Sequence, residues 1–207
     1  MSRFAHLTST APVRAVQEEQ GSRRANERRL VGGDRERDAL GPAETEFVGD
    51  LDGFYLATVN DDGWPYVQYR GGPPGFVHVL DEHTLAFADV RGNRQYLSAG
   101  NLRTSDKVAL FFMRYSTRTR LKVLGRARSV RVDEDPALAA RLADVRTDGV
   151  VERLLVIDVE GLDWNCPQHI TPRFTVDEIE QGIVGLRARI EELERENRRL
   201  RAVGSAS

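Results

Sequence analysis

From position 53 to position 164 the chain is a succession of short apolar runs separated by turn residues, and that rhythm restricts the fold more than any other feature. The run FYLATV at 54–59 is rich in aromatic and β-branched residues, as strands are. Asn60-Asp61-Asp62-Gly63 supplies residues that tolerate the left-handed backbone of a hairpin turn, and WPYVQYR at 64–70 is the return strand. Gly71-Gly72-Pro73-Pro74-Gly75 interrupts the pattern. FVHVL at 76–80 and TLAFADV at 84–90 then form a second hairpin around Asp81-Glu82-His83. VALFFMR at 108–114, RLKVLGRARSVRV at 120–132 and VERLLVIDVEGLDW at 151–164 complete the set, with two brief helices among them, the second opened by Pro136. A doubly wound sheet alternates strands with helices throughout. Strands joined by tight turns predict an antiparallel β-barrel or sandwich instead.

The flanks differ. Residues 1–52 read as helices and loops. Thr10 caps a helix beginning Ala11-Pro12, which Gly21 ends or bends, and a charged helix over 22–31 stops at Gly32-Gly33. A third helix starts near Gly41-Pro42 and puts Phe47, Val48 and Leu51 on one face. This extension is too polar to build its own core, so it packs on the domain that follows. The formal net charge of -2 gives no basic field for nucleic acid. No apolar run is long enough for a membrane span, and the first thirty residues lack the apolar stretch of a signal peptide, so the simplest reading is a cytoplasmic protein. The single cysteine, Cys166, excludes an intrachain disulfide. Cys166 and His169 stand as C-x-x-H, two ligands too few for a structural zinc, so no metal site is expected.

The stretch FADVRGNRQYLSAGN at 87–101 reads as a strand end, a break at Arg91-Gly92 and a short helix, with Asn93 at its N-cap and Arg94 and Gln95 in its first turn. Such a turn directs backbone N–H groups and a guanidinium at one point, which suits a phosphate. The same residues also describe a plain tight turn with Arg94 on the surface.

At the other end, Thr175-Val176-Asp177-Glu178 is a capping box that opens a helix. Its apolar positions step by four and three: Ile183, Ile190 and Asn197 take heptad position a, and Leu186, Leu193 and Leu200 take d. Ile at a with Leu at d favours a parallel two-stranded coil, and one Asn at a selects dimer and register. Arg189 faces Glu194 of a partner, and Glu196 faces Arg201. The alternative is an amphipathic helix packed on its own domain.

The strand order and the central turn together resemble the pyridoxamine 5'-phosphate oxidase-like family of flavin split barrels. The matching pieces are GWPYVQYRGG at 63–72, LAFADVRGNRQY at 85–96, DKVALFFM at 106–113, RLKVLGRARSV at 120–130 and, as in an uncharacterised branch of the family, DWNCPQHITPRF at 163–174. The resemblance implies a mainly β fold with helices: an antiparallel split β-barrel at 53–174 preceded by an N-terminal helical extension at 1–52. The C-terminal helix at 175–203 follows as a dimeric coiled coil on its own heptad pattern. It also implies an FMN held at the interface of a homodimer. The phosphate turn of the family corresponds to Asn93, Arg94 and Gln95, with Gln95 standing where the family has a lysine. The family arginine on the second strand falls at Gln68, two residues before Arg70. A glutamine after the helix becomes Arg120, so the phosphate charge is balanced by Arg94 with Arg120 or Lys122. The ring edge lies along Val67, Gln68 and Tyr69 with Ala88 and Asp89. Asp89 replaces a neutral hydroxyl residue, and an acid there would disfavour the anionic reduced flavin. The loop at 164–173, with Trp164, Asn165, Gln168, His169 and Arg173, either covers the cofactor from the other subunit or is a structural loop that fixes the start of the terminal helix.

Two functions follow from the resemblance. One is an FMN-dependent oxidoreductase acting on a small molecule, with no catalytic residue singled out. The other is a non-catalytic dimeric module holding flavin, deazaflavin or haem, which occupy related barrels. The segment 132–149 lacks the pattern with which true pyridoxamine phosphate oxidases hold their substrate phosphate, so that compound is not the expected substrate.

Overall fold

The computed structural model describes residues 2–28, 30, 36–143, 149–164 and 167–204. The chain divides into two compact units, one of Met1–Arg114 with Arg118–Gln168, the other of Tyr115–Thr117 with His169–Ser207. No helix among the described residues is long and apolar enough to cross a membrane.

Among its described residues the first unit carries seven strands: β1 Gly53–Val59, β2 Pro65–Gly71, β3 Val77–Asp81, β4 Thr84–Val90, β5 Lys107–Arg114, β6 Thr119–Val130 and β7 Val151–Trp164. They form one antiparallel sheet in the order β2-β1-β5-β6-β7-β4-β3. Alternate residues point to opposite faces of a strand, so Phe54 and Leu56, Leu110 and Phe112, Leu121 and Val123, Leu155 and Ile157, and Leu85 and Phe87 share one buried core. Phe54 stacks on its register partner Phe112 with centroids 4.9 Å apart. It also meets Phe87 edge-on at 5.3 Å, although β1 and β4 lie four places apart in the sheet order. The sheet therefore curls round onto itself, with β2 and β3 as its outer strands, as an antiparallel split β-barrel. This closes the choice between barrel and sandwich that the strand pattern left open.

Among the described residues seven helices accompany the strands: α1 Arg3–Thr8, α2 Ala11–Glu19, α3 Arg23–Glu27, α4 Pro42–Gly49, α5 Leu97–Asn101, α6 Pro136–Leu142 and α7 Val176–Gly204. Helix α6 covers the outer side of β4 and β7, where Leu142 packs with Ala86, Leu154 and Val156. Both faces of β7 are thus buried at its centre, which explains the unbroken apolar run LLVI at 154–157. Helix α4 buries Phe47 and Val48 as its sequence predicts. Trp164 packs edge-on against Phe47 at 4.8 Å and donates from Nε1 to Glu44 Oε1 at 2.6 Å, tying α4 to the end of β7.

Helix α1 precedes the helices read from the sequence. It lies so close to β7 that a Cβ at Gly161 would stand 2.5 Å from the Phe4 nitrogen. Asp38 fixes this crossing. Its carboxylate accepts from the backbone nitrogens of Arg3 (2.8 Å), Phe4 (3.2 Å) and Leu162 (2.9 Å) and from Ser2 Oγ (3.0 Å). Hydrogen bonds to a charged group contribute about 1.5–3 kcal/mol. Asp38→Ala is therefore expected to raise amide hydrogen exchange in α1 by tenfold or more while the core strands keep their protection. Unchanged exchange in α1 would contradict that role.

In the second unit, Thr175 and Glu178 form the capping box that the sequence predicts. The Thr175 nitrogen donates to Glu178 Oε2 at 2.8 Å, and the Glu178 nitrogen donates to Thr175 Oγ1 at 3.1 Å. Ser116 Oγ donates to Glu178 Oε1 at 2.5 Å.

Candidate functional site

The face of β2 that carries Tyr66, Gln68 and Arg70 is the face on which its partner strand carries Thr58, Leu56 and Phe54. β2 thus presents polar side chains where β1 presents core. On β4 the alternation that buries Leu85 and Phe87 brings Asp89 to the same side, 8% exposed. These residues, the turn after β4 and the start of β7 enclose a pocket of about 190 Å³.

The turn departs from the sequence expectation. Asn93 is not a helix N-cap, because α5 begins only at Leu97. Instead the Gln95 nitrogen donates to Asn93 Oδ1 at 3.1 Å, and Asn93 Nδ2 donates to Gln95 Oε1 at 3.2 Å. Asn is suited to such local side-chain turns, which compete with helix initiation. Arg94 and Tyr96 both take left-handed backbone, with φ of 63° and 54°. Non-glycine residues adopt that region at a cost, so the turn is held in place from outside. Tyr96 supplies one anchor by donating to Glu152 Oε1 at 3.1 Å beneath the Arg153 guanidinium, which lies 5.1 Å from its ring. Asn93 and Gln95 spend their amides on each other. Arg94 is exposed and has no ion pair among the described residues.

Deeper in the pocket, Asp89 is bound by two arginines. Arg70 Nη1 donates to Asp89 Oδ1, and Arg153 Nε stands 3.6 Å from Oδ2. Arg153 faces Asp89 because the two are register partners in the β4–β7 pair. Asp89 is therefore not the lone acid that its substitution for a hydroxyl residue implies. The lining holds three guanidiniums, from Arg70, Arg94 and Arg153, against two carboxylates, from Asp89 and Glu152. Arg70 also keeps a buried Nε with no partner. Gln68 is held from the other side, where Ser98 Oγ donates to its Oε1 at 3.2 Å.

Of the residues singled out from the sequence, Gln68, Tyr69, Asp89, Asn93, Arg94 and Gln95 line this pocket. Val67, Ala88, Arg120, Lys122 and Trp164 lie elsewhere within one chain. Val67 is 58% exposed, on the opposite face of β2. Ala88 packs toward α6. Arg120 lies over the Phe111 ring at 5.5 Å. Lys122 pairs with Asp163 at 2.6 Å and sits 4.9 Å from the Phe4 ring. Trp164 is engaged by α4, and Arg173 belongs to the second unit, where its guanidinium lies over the Tyr115 ring at 5.0 Å. Asn165 and Cys166 fall outside the described residues. Reading the sequence missed Glu152 and Arg153 as pocket residues, since only the pairing of β7 with β4 brings them there.

A wider cleft of about 1000 Å³ adjoins the pocket and shares Tyr96, Ala99, Glu152 and Arg153 with it. Arg103 and Arg128 line it without ion pairs among the described residues.

Against known proteins, the family model described as pyridoxamine 5'-phosphate oxidase matches residues 40–160, more than half of the chain. The chain belongs to the pyridoxamine 5'-phosphate oxidase family. No curated protein matches it in sequence. Among solved structures, HupZ of Group A Streptococcus superposes with a TM-score of 0.50 at 16% identity, covering 65% of this chain and 98% of HupZ. An FMN-binding protein of Syntrophomonas wolfei gives a TM-score of 0.47 at 13% identity, covering 75% of this chain and 98% of that one. A protein of Clostridium acetobutylicum related to general stress protein 26 gives 0.45 at 17%, covering 66% and 94%. The HupZ superposition supports the barrel fold that the family model implies.

Hydrogen bonding from Arg91 Nε, 2.7 Å away, holds the Glu152 carboxyl below its ordinary value of 4.5; the Tyr96 hydroxyl and the charges of Arg91 and Arg153 act in the same direction, and desolvation opposes them. A folded value lowered in this way gives stabilisation that is complete above the unfolded value and is lost as pH falls through the folded one. The NMR shifts of the Tyr96 ring should therefore stay constant from about pH 8 to about pH 5 and move only in more acid solution. A transition centred at or above the ordinary glutamate value would contradict this.

Proposed function

We propose that this protein is an FMN-dependent oxidoreductase acting on a small molecule, with the flavin held at the interface of a homodimer. The observation that carries the reading is the pocket at the end of β4, where the unpaired Arg94 guanidinium and the half-satisfied Arg70 share one wall system. A buried guanidinium N–H without an acceptor is costly, and a phosphate oxygen is a strong acceptor for it. The excess of one guanidinium over the carboxylates also suits an anion. Family membership supports FMN as the source of that phosphate.

A flavin bound there supplies the electron-transfer chemistry, and the protein binds and orients it. In this reading Arg94 takes the phosphate directly. Asp89 holds Arg70 and Arg153 in place, and the exposed outer side of β2 and β1, with Val67, Tyr69 and Tyr55, receives a second copy of the chain. Arg120, Lys122 and Trp164 would reach the cofactor only from that second copy. The adjoining cleft offers room for the small-molecule substrate. The sequence of 132–149 argues against pyridoxamine phosphate in that role.

Titration of the full chain with FMN and with riboflavin, followed by flavin fluorescence, tests the reading. A charge-assisted hydrogen bond is worth about 1.5–3 kcal/mol, so Arg94→Ala should weaken FMN by tenfold or more. Riboflavin, which lacks the phosphate, should bind the two proteins alike. No uptake of FMN would sink the proposal, and equal weakening of both ligands would remove Arg94 from the phosphate role. Bound flavin that neither NADH nor NADPH reduces would favour a non-catalytic flavin module instead.

A further inference from the structure

We infer that α7 pairs with α7 of a second copy of this chain as a parallel, in-register two-stranded coiled coil. The inference is independent of the flavin reading. α7 has 29 residues, which at 1.5 Å per residue makes a rod of about 43 Å. Its cap lies just before Val176, so the heptad extends further toward the N-terminus than the core repeat, with Val176 at a and Ile179 at d. The seam is open to solvent: Val176 is 70% exposed, Ile179 51%, Leu186 65%, Ile190 55% and Leu193 46%. A continuous apolar stripe of this kind marks an interaction surface. Gly182 and Gly185 within the helix each cost about 1 kcal/mol relative to alanine, so α7 draws its stability from packing along that stripe.

Two features select a second copy, and its direction, over any other occupant. The first is Asn197, on the same stripe at position a. In a parallel pair Asn197 meets Asn197 of the other copy, and each amide can donate to and accept from its twin. In an antiparallel pair position a meets position d, which is aliphatic at Ile179, Leu186 and Leu193, and the amide would be buried without a partner. The second is charge. Arg189 at g stands opposite Glu194 at e of a parallel partner. Within one chain Arg189 contacts Glu192 at 2.5 Å, and Glu194 lies 3.8 Å from Arg198. Exposed pairs of that kind contribute little and yield readily. β-Branched residues at a, Val176, Ile183 and Ile190, favour two strands over three or four.

The test is disulfide cross-linking of the full chain in a Cys166→Ser background under mild copper–phenanthroline oxidation. Leu193→Cys, on the seam, should give a covalent dimer in high yield. Arg195→Cys, on the outer face of the same helix turn, should give little. Both positions are solvent-exposed in the single chain, so folding is not at stake, and circular dichroism checks it. Absence of the Leu193 cross-link, or equal yields at the two positions, would overturn the inference. So would a mixture of Ile179→Cys and Asn197→Cys chains that cross-link to each other faster than either does to itself, which is the signature of an antiparallel pair.

Discussion

Everything in the first unit depends on the contact of Phe54 with Phe87. The two rings belong to strands that are separated by three others in the sheet, and they meet only because the sheet closes around them. Phe112 and Phe76 complete the cluster, with ring centroids 4.9 Å and 6.0 Å from that of Phe54. Aromatic pairs add about 0.5–1.5 kcal/mol each beyond their buried area. The cluster therefore favours one curvature of the sheet over a flat alternative. It also sets the distance between β2 and β4 at the open side of the barrel, where no strand pairing joins them.

The pocket is a consequence of that open side. Along β4 the interior alternation passes from Leu85 to Phe87 to Asp89, and β2 carries Gln68 and Arg70 on the corresponding face. A carboxylate 8% exposed requires a charged partner. Asp89 has two, from strands on either side, so the acid acts as a clamp for Arg70 and Arg153. Glu152 extends the network to Arg91 and Tyr96 and so to the strained turn that presents Arg94. The free guanidinium at the surface is thus braced by the pairing of β4 with β7.

Much of the barrel is legible in the sequence, because its signals are local. The Asn60–Gly63 turn, the alternation in β1 and the run of β7 each declare themselves within a dozen residues. The helix after β4 is misplaced by such reading for a local reason as well. Asn93 has the chemistry of an N-cap, but its amide closes a turn with Gln95, and the helix waits until Leu97. The site is only partly legible. Arg94 and Gln68 are found by their place in the family pattern. Arg153 and Glu152 reach the pocket through a register between strands more than sixty positions apart, and no short-range pattern encodes it. The same limit explains Asp89, which reads as an uncompensated acid until its two arginines are in place. Lys122 reads as a free cation, whereas Asp163 and Phe4 already occupy it.

The most direct measurement is a crystal structure of the full chain grown with FMN. The account predicts phosphate density at the turn formed by Asn93, Arg94 and Gln95, with Arg94 in contact with it and Asp89 still bound to Arg70 and Arg153. FMN density with its phosphate at another surface, or a phosphate at this turn that leaves Arg94 in solvent, would contradict it.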